Sequence, residues 1–228
     1  MPPRRWSALA ATLTAVAGFV AMTTGQLLAV LALGLGVREP AERAPLDLLV
    51  VTAAGAASLL LVLAVLAPRL LGTSLPGLGF RRPRVAQLRF AVTAALGLWL
   101  LSILANLVSI SFFGPNPQAL VQSFSAHRGA DALALDLLTG VVVAPFAEEA
   151  LYRGVVFAAL AQRVPVAAAA LASALLFAVP HGVGVLAPIL VLGTGLAWVY
   201  WRTGTLWAPI LAHAVVNAIS LVVLFAAP

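Results

Sequence analysis

Three short constellations in this 228-residue chain combine residue types and spacings that can do chemistry: Glu148-Glu149 with Arg153, His181, and His213 with Asn217. On a helix, Glu149 and Arg153 are i and i+4, which brings their side chains about 5–6 Å apart on one face. Glu148 points about 100° away, on the face of Tyr152. Two adjacent carboxylates in a poor dielectric do not both ionise cheaply. An arginine resolves this by holding one of them charged, which leaves Glu148 free for proton transfer. His181 closes the string Phe177-Ala-Val-Pro180-His181. Pro180 kinks or ends a helix there and frees backbone groups beside the imidazole. His213 and Asn217 share one helix face inside an otherwise apolar segment.

Each constellation alone also has a plain structural reading. Glu148, Glu149 and Arg153 read equally as a solvated helix end, and His181 as an interfacial histidine. His213 and Asn217 read as an interhelical hydrogen-bonding pair. Together they say more, because they fall on three different hydrophobic segments, where each ionisable group costs about 2.5–3.5 kcal/mol on insertion scales. A common polar pocket between helices would account for all of them. The chemistry such a pocket supports is hydrolysis. Glutamate takes a proton from water, a histidine shares that proton or orients the water, and His213 and Asn217 donate to a developing oxyanion. The same atoms also read as metal ligands, with Glu148, His181 and His213 as candidates and zinc as the metal they suit. The HExxH zinc signature is absent, as are the rhomboid-type GxSG and the GxGD pattern of intramembrane aspartyl proteases.

The composition dictates the setting. Hydrophobic residues make up 63% of the chain and charged residues only 9%, against about 25% charged in a soluble domain. A soluble single domain and intrinsic disorder are both excluded. The apolar runs are long and unbroken, which argues for helices and against an outer-membrane barrel. There is no cysteine, hence no thiol nucleophile, disulfide or Cys-based metal site. All 13 basic residues are arginines. They sit between hydrophobic runs as topology signals rather than on one polar face, so no nucleic-acid partner is expected. The lack of lysine and the wealth of Ala, Leu, Val and Gly suggest a GC-rich bacterial genome.

The expected fold is an all-α, polytopic transmembrane bundle of about seven spans. The apolar run Ser7–Val37 is too long for a signal h-region and reads as a retained first helix. Further helices are expected over about Asp47–Ala67, Phe90–Phe113, Ala132–Ala161, Val164–Val183, Val185–Trp201 and Leu206–Ala227. Gly182 and Gly184 leave a short turn, so helices five and six should form an antiparallel hairpin. The stretch Gly72–Arg89 reads as a cationic membrane-surface loop. Gly114–Asp131 reads as a polar connection with room for an interfacial helix, and His127 within it as a surface residue. Asp136, near the start of its segment, is expected at the interface. We divide the chain into N-terminal helices with the cationic loop (1–131) and a catalytic helical core (132–228), within one integral membrane domain.

Charge sets the orientation. The N-terminus and the second, fourth and sixth loops carry Arg4, Arg5, Arg69, Arg81, Arg82, Arg84, Arg89, Arg153, Arg163 and Arg202. The other side carries only Arg38, Arg43 and Arg128. The positive-inside rule therefore puts the N-terminus in the cytoplasm, with the protein in a bacterial plasma membrane.

The ordered motifs EExxxR (Glu148, Glu149, Arg153), FxxxH (Phe177, His181) and HxxxN (His213, Asn217) resemble the CPBP family, also called Abi. This family contains type II CAAX prenyl endoproteases and bacteriocin-processing or self-immunity proteins. The string from Arg202 to His213 resembles the family's approach to its last motif, and the resemblance covers about Leu135–Leu224. It implies an intramembrane endopeptidase that cuts a membrane-associated protein or peptide within the bilayer. In that reading Glu148 activates water, with His181 as its partner. His213 and Asn217 stabilise the oxyanion or help bind a divalent metal. Glu149, Arg153, Tyr152 and Phe177 support them. Specificity for prenylated tails does not carry over. The alternatives are a non-catalytic membrane immunity or binding protein of the same fold, or a transporter. Transporters tend to show paired halves with broken helices, and here the polar residues occupy one half only.

Overall fold

The computed structural model describes residues 5–36, 44–114 and 129–226. Arg4, Arg38, Arg43, His127, Arg128 and most of the polar connection lie outside the described residues. The described chain is all helical. Six helices are long and apolar enough to cross a membrane: α1 (Ala8–Ala32), α2 (Pro45–Leu71), α3 (Val85–Phe113), α4 (Ala130–Leu160), α6 (Val183–Thr203) and α7 (Trp207–Ala226). The seventh, α5 (Val166–His181), is shorter. The chain is thus an integral membrane protein.

The helix ends follow local chemistry. The Ser7 hydroxyl accepts from the Ala10 N–H at 3.0 Å and caps α1. Helix α3 starts at Val85, five residues before the apolar run suggests. Gln87 makes the difference, since its Oε1 accepts the Arg84 N–H at 2.7 Å and closes the first turn. Pro180 does not break α5 abruptly. The helix tightens into a 3₁₀ turn over Val179–His181 and stops at Gly182, whose φ of 94° suits glycine. Helices α5 and α6 then pack against each other as the expected hairpin.

Helix α4 carries two widened π turns, Leu138–Val143 and Tyr152–Phe157. The first directly precedes Pro145, whose ring would clash with the carbonyl four residues back in a regular helix. Opening the turn there relieves that conflict and keeps the helix continuous. Both π turns lie next to the polar residues of the chain.

Two apolar clusters hold the bundle together. One joins α2 to α4 through Leu59, Leu63, Leu151, Val155 and Phe157, all essentially inaccessible. The other joins α3, α6 and α7 through small and branched residues such as Ala95, Leu196, Val199 and Ala212. The loop after α2 is pinned to the turn between α6 and α7. Tyr200 Oη donates to Leu78 O (3.0 Å), the Leu206 N–H to Gly79 O (2.8 Å) and Thr205 Oγ1 to Arg81 O (2.7 Å). Gly79, at φ 118°, leaves no room for a Cβ, which would sit 2.8 Å from Tyr200 Oη. At the same end Trp6 N–H donates to Gln162 Oε1 at 2.7 Å, and Arg163 donates to Trp6 O. The N-terminal segment thus meets the α4–α5 loop, and the α2–α3 loop meets the α6–α7 turn, as the expected topology requires.

One expectation fails. Asp136 is not interfacial: its side chain is fully buried within α4. The helix starts at Ala130, so Asp136 lies nearly two turns inside it and faces the bundle rather than the surface.

Candidate functional site

Helices α4, α5, α6 and α7 bring the polar residues of the C-terminal half together. Glu149 and Arg153 stand one turn apart on α4, both with no exposed side-chain surface. Arg153 Nη1 donates to Glu149 Oε1 at 2.8 Å, the contact that i,i+4 spacing predicts. Arg153 Nη2 donates to the backbone carbonyl of Gly193 on α6 at 3.0 Å. Its guanidinium lies 4.7 Å from the centre of the Phe177 ring on α5. One arginine therefore ties three helices together. The plain reading of this motif as a solvated helix end is ruled out by the complete burial of Glu149 and Arg153.

His213 reaches the pair from α7. Its Nδ1 lies 3.0 Å from Glu149 Oε1. A carboxylate that already accepts from arginine is an acceptor, so Nδ1–H is the donor. The other ring nitrogen, Nε2, faces Glu148 Oε2 at 3.9 Å. That gap is beyond direct hydrogen-bond range and suits a bridging water. Glu148 is the accessible carboxylate of the two, with 23% of its side chain exposed against none for Glu149. Glu149 Oε2 and Arg153 Nε are buried without a hydrogen-bond partner among the described residues.

Phe177 is the spacer of the site. Its ring meets Tyr152 (5.1 Å between centres), His181 (5.0 Å) and His213 (5.9 Å), each edge to face. His181 is half-buried, and its Nδ1 lies 2.9 Å from Phe177 O. A carbonyl only accepts, so Nδ1 again carries the proton and Nε2 is left as the acceptor. His181 and Glu148 are not within ion-pair distance; the imidazole nearest the carboxylate is that of His213, with Nε2 at 3.9 Å. Asn217 Nδ2 donates to Gly140 O at 2.7 Å, inside the first π turn of α4. One of its two N–H groups thus joins α7 to α4, as the interhelical reading expects, and the second has no partner among the described residues.

The metal reading needs three donors around one point. Among the described residues, no three His, Cys, Asp or Glu stand close enough to hold a metal ion. Glu148 and His213 make a pair, His181 does not join it, and the inner face of His213 is committed to Glu149. The set Glu148, His181 and His213 is not assembled as a ligand cage in this arrangement.

Two contributors carry no side-chain signal in the sequence. Gly193 and Gly140 act through backbone carbonyls. The only hint at Gly193 is a small residue within a span, where helices approach closely. A Cβ at Gly193 would meet Ala174 Cβ at 2.9 Å and Phe177 Cδ1 at 3.1 Å.

Fold and site together define a polytopic helical membrane protein with a buried carboxylate–guanidinium–imidazole cluster and one accessible carboxylate beside it. Residues 130–219 match the family model described as type II CAAX prenyl endopeptidase Rce1-like, and over that stretch the chain is a domain of this family. No curated protein and no solved structure matches the chain. Membership implies an intramembrane protease, and hence a protein substrate.

Proposed function

We propose that the protein is an endopeptidase that hydrolyses a peptide bond of a membrane-associated protein or peptide, with Glu148 as the base that activates water. The observation that carries this reading is the grip on His213. Glu149 holds Nδ1, so Nε2 is aimed at the accessible Glu148 carboxylate, 3.9 Å away. Fixing one ring nitrogen to orient the other is how a buried carboxylate prepares a catalytic imidazole.

In this reading water lies beside Glu148, which takes one of its protons while the oxygen bonds to the scissile carbonyl carbon. The carbonyl π electrons move to oxygen. His213, carrying a second proton, donates from Nε2 to that oxyanion, and the free N–H of Asn217 assists. His181 Nε2 accepts from the attacking water and orients it. The carbon–nitrogen bond then breaks as Glu148 returns its proton to the leaving amine. Tyr152 and Phe177 wall the site. The helices of residues 1–131 serve as support, and the arginine-rich end faces the cytoplasm.

The test compares new peptide termini in membranes from cells carrying the wild type or Glu148→Ala at matched abundance. Termini that vanish in the variant, and reappear when purified wild type is added to the uncut substrate, are the expected result. An unchanged profile together with intact biological function would overturn it and favour a non-catalytic immunity or binding role.

A further inference from the structure

The arginine-rich end of the bundle contains a cavity that the proposed hydrolysis does not use. It has a volume of about 290 Å³ and is lined by Arg84, Ala86, Gln87 and Phe90 at the start of α3, with Arg202 and Thr203 at the end of α6. Gln87 Nε2 donates to Thr203 O at 2.6 Å and braces the two helices, which holds Arg84 and Arg202 around one space.

The arginines at this end fall into two groups. Arg5, Arg69, Arg81 and Arg163 each donate to a backbone carbonyl. Arg82, Arg84, Arg89 and Arg202 are solvent-exposed and make no side-chain hydrogen bond or ion pair among the described residues, and of these four Arg84 and Arg202 border the cavity. The chain supplies no acid to neutralise them. No Asp or Glu occurs at 68–89, 160–166 or 201–207, the segments that make up this end. Two guanidiniums held around a cavity with no internal counter-charge call for an anion from outside.

The level of the cavity says which anion. Arg84 immediately precedes the span Val85–Phe113, and Arg202 is the penultimate residue of the span Val183–Thr203, so the cavity lies where the chain leaves the hydrocarbon. Phe90 and Trp198 meet one turn further in, with ring centres 5.2 Å apart and planes tilted by 60°. Aromatic rings at headgroup depth beneath paired arginines match an amphipathic ligand with its phosphate outward. Guanidinium is also the side chain best matched to phosphate oxygens.

We propose that Arg84 and Arg202 form a binding site for a phosphate-bearing anion, supplied by the headgroup of an anionic phospholipid. Phosphate oxygens would take the guanidinium N–H groups, while the glycerol and first acyl carbons lie over Phe90.

The full chain in detergent is tested by native mass spectrometry with phosphatidylglycerol or phosphatidylcholine, and with inorganic phosphate as competitor. The wild type is expected to retain phosphatidylglycerol over phosphatidylcholine. Arg84→Gln/Arg202→Gln is expected to weaken that retention about tenfold. Arg69→Gln/Arg82→Gln removes equal charge outside the cavity and should leave it within about twofold. Displacement of the lipid by millimolar phosphate would support the phosphate site and reassign its source to the free anion. Equal loss in both double variants, or no preference between the two lipids, would overturn the site and leave only diffuse surface charge. The readout does not depend on peptide cleavage.

Discussion

The two halves of the molecule are held together by different forces. Helices α1 and α2 pair through small residues. A Cβ at Gly25 would meet Ser58 and lie 2.7 Å from Ala54 O, and one at Gly55 would lie 2.9 Å from Met22 O. No ion pair joins these two helices among the described residues. Helices α4 to α7 are tied instead by Arg153 to Gly193 O, by Glu149 to His213 and by Asn217 to Gly140 O. In lipid there is no hydrophobic drive between helices, so association rests on close packing or on polar contacts. The N-terminal pair uses the first and the C-terminal group uses both. Close packing depends on shape alone. A buried polar cluster depends on every member being present.

This contrast is tested most severely at Arg153. Arg153→Leu leaves Glu149 as a buried charge without its guanidinium, and should cost about 3–5 kcal/mol of stability in detergent unfolding. Glu149→Gln combined with Arg153→Leu should recover a large part of that loss. A single variant as stable as the wild type would show that the cluster does not hold the helices. Next in size is Gly25→Val, which overpacks the α1–α2 contact and should cost about 1–3 kcal/mol. Cleavage per folded molecule should be unchanged, because no contact of the polar site is touched; a lower rate at full folding would show that the two halves are coupled. The smallest effect on stability is expected for Asn217→Ala, about 0.6 kcal/mol for one interhelical hydrogen bond. If Asn217 also meets the oxyanion, kcat should fall about 100-fold with KM little changed. A stability loss with normal kcat would assign it to the helix contact alone.

The pairing of Glu149 with Arg153 was legible from i,i+4 spacing, since a helix places such residues together whatever surrounds it. The membrane setting was legible too, because a chain with 63% hydrophobic residues has too few polar groups to cover a water-facing surface. Asp136 was misread because the sequence marks its distance from the start of an apolar run and not the direction its side chain faces. The partners of Glu148 were equally hidden. Spacing does not say which histidine meets it, and the structure brings His213 to it rather than His181.

The sequence by itself thus determined the class of protein, the helical spans and the three motifs, because hydrophobic runs and helical periodicity are local properties of the chain. Only the tertiary structure decided that Glu149 is sealed while Glu148 stays accessible, that His213 turns Nε2 outward, and that Gly193 and Gly140 supply carbonyls to the cluster. Each of these depends on how α4, α6 and α7 cross, and interhelical geometry is set by packing between residues far apart in the chain.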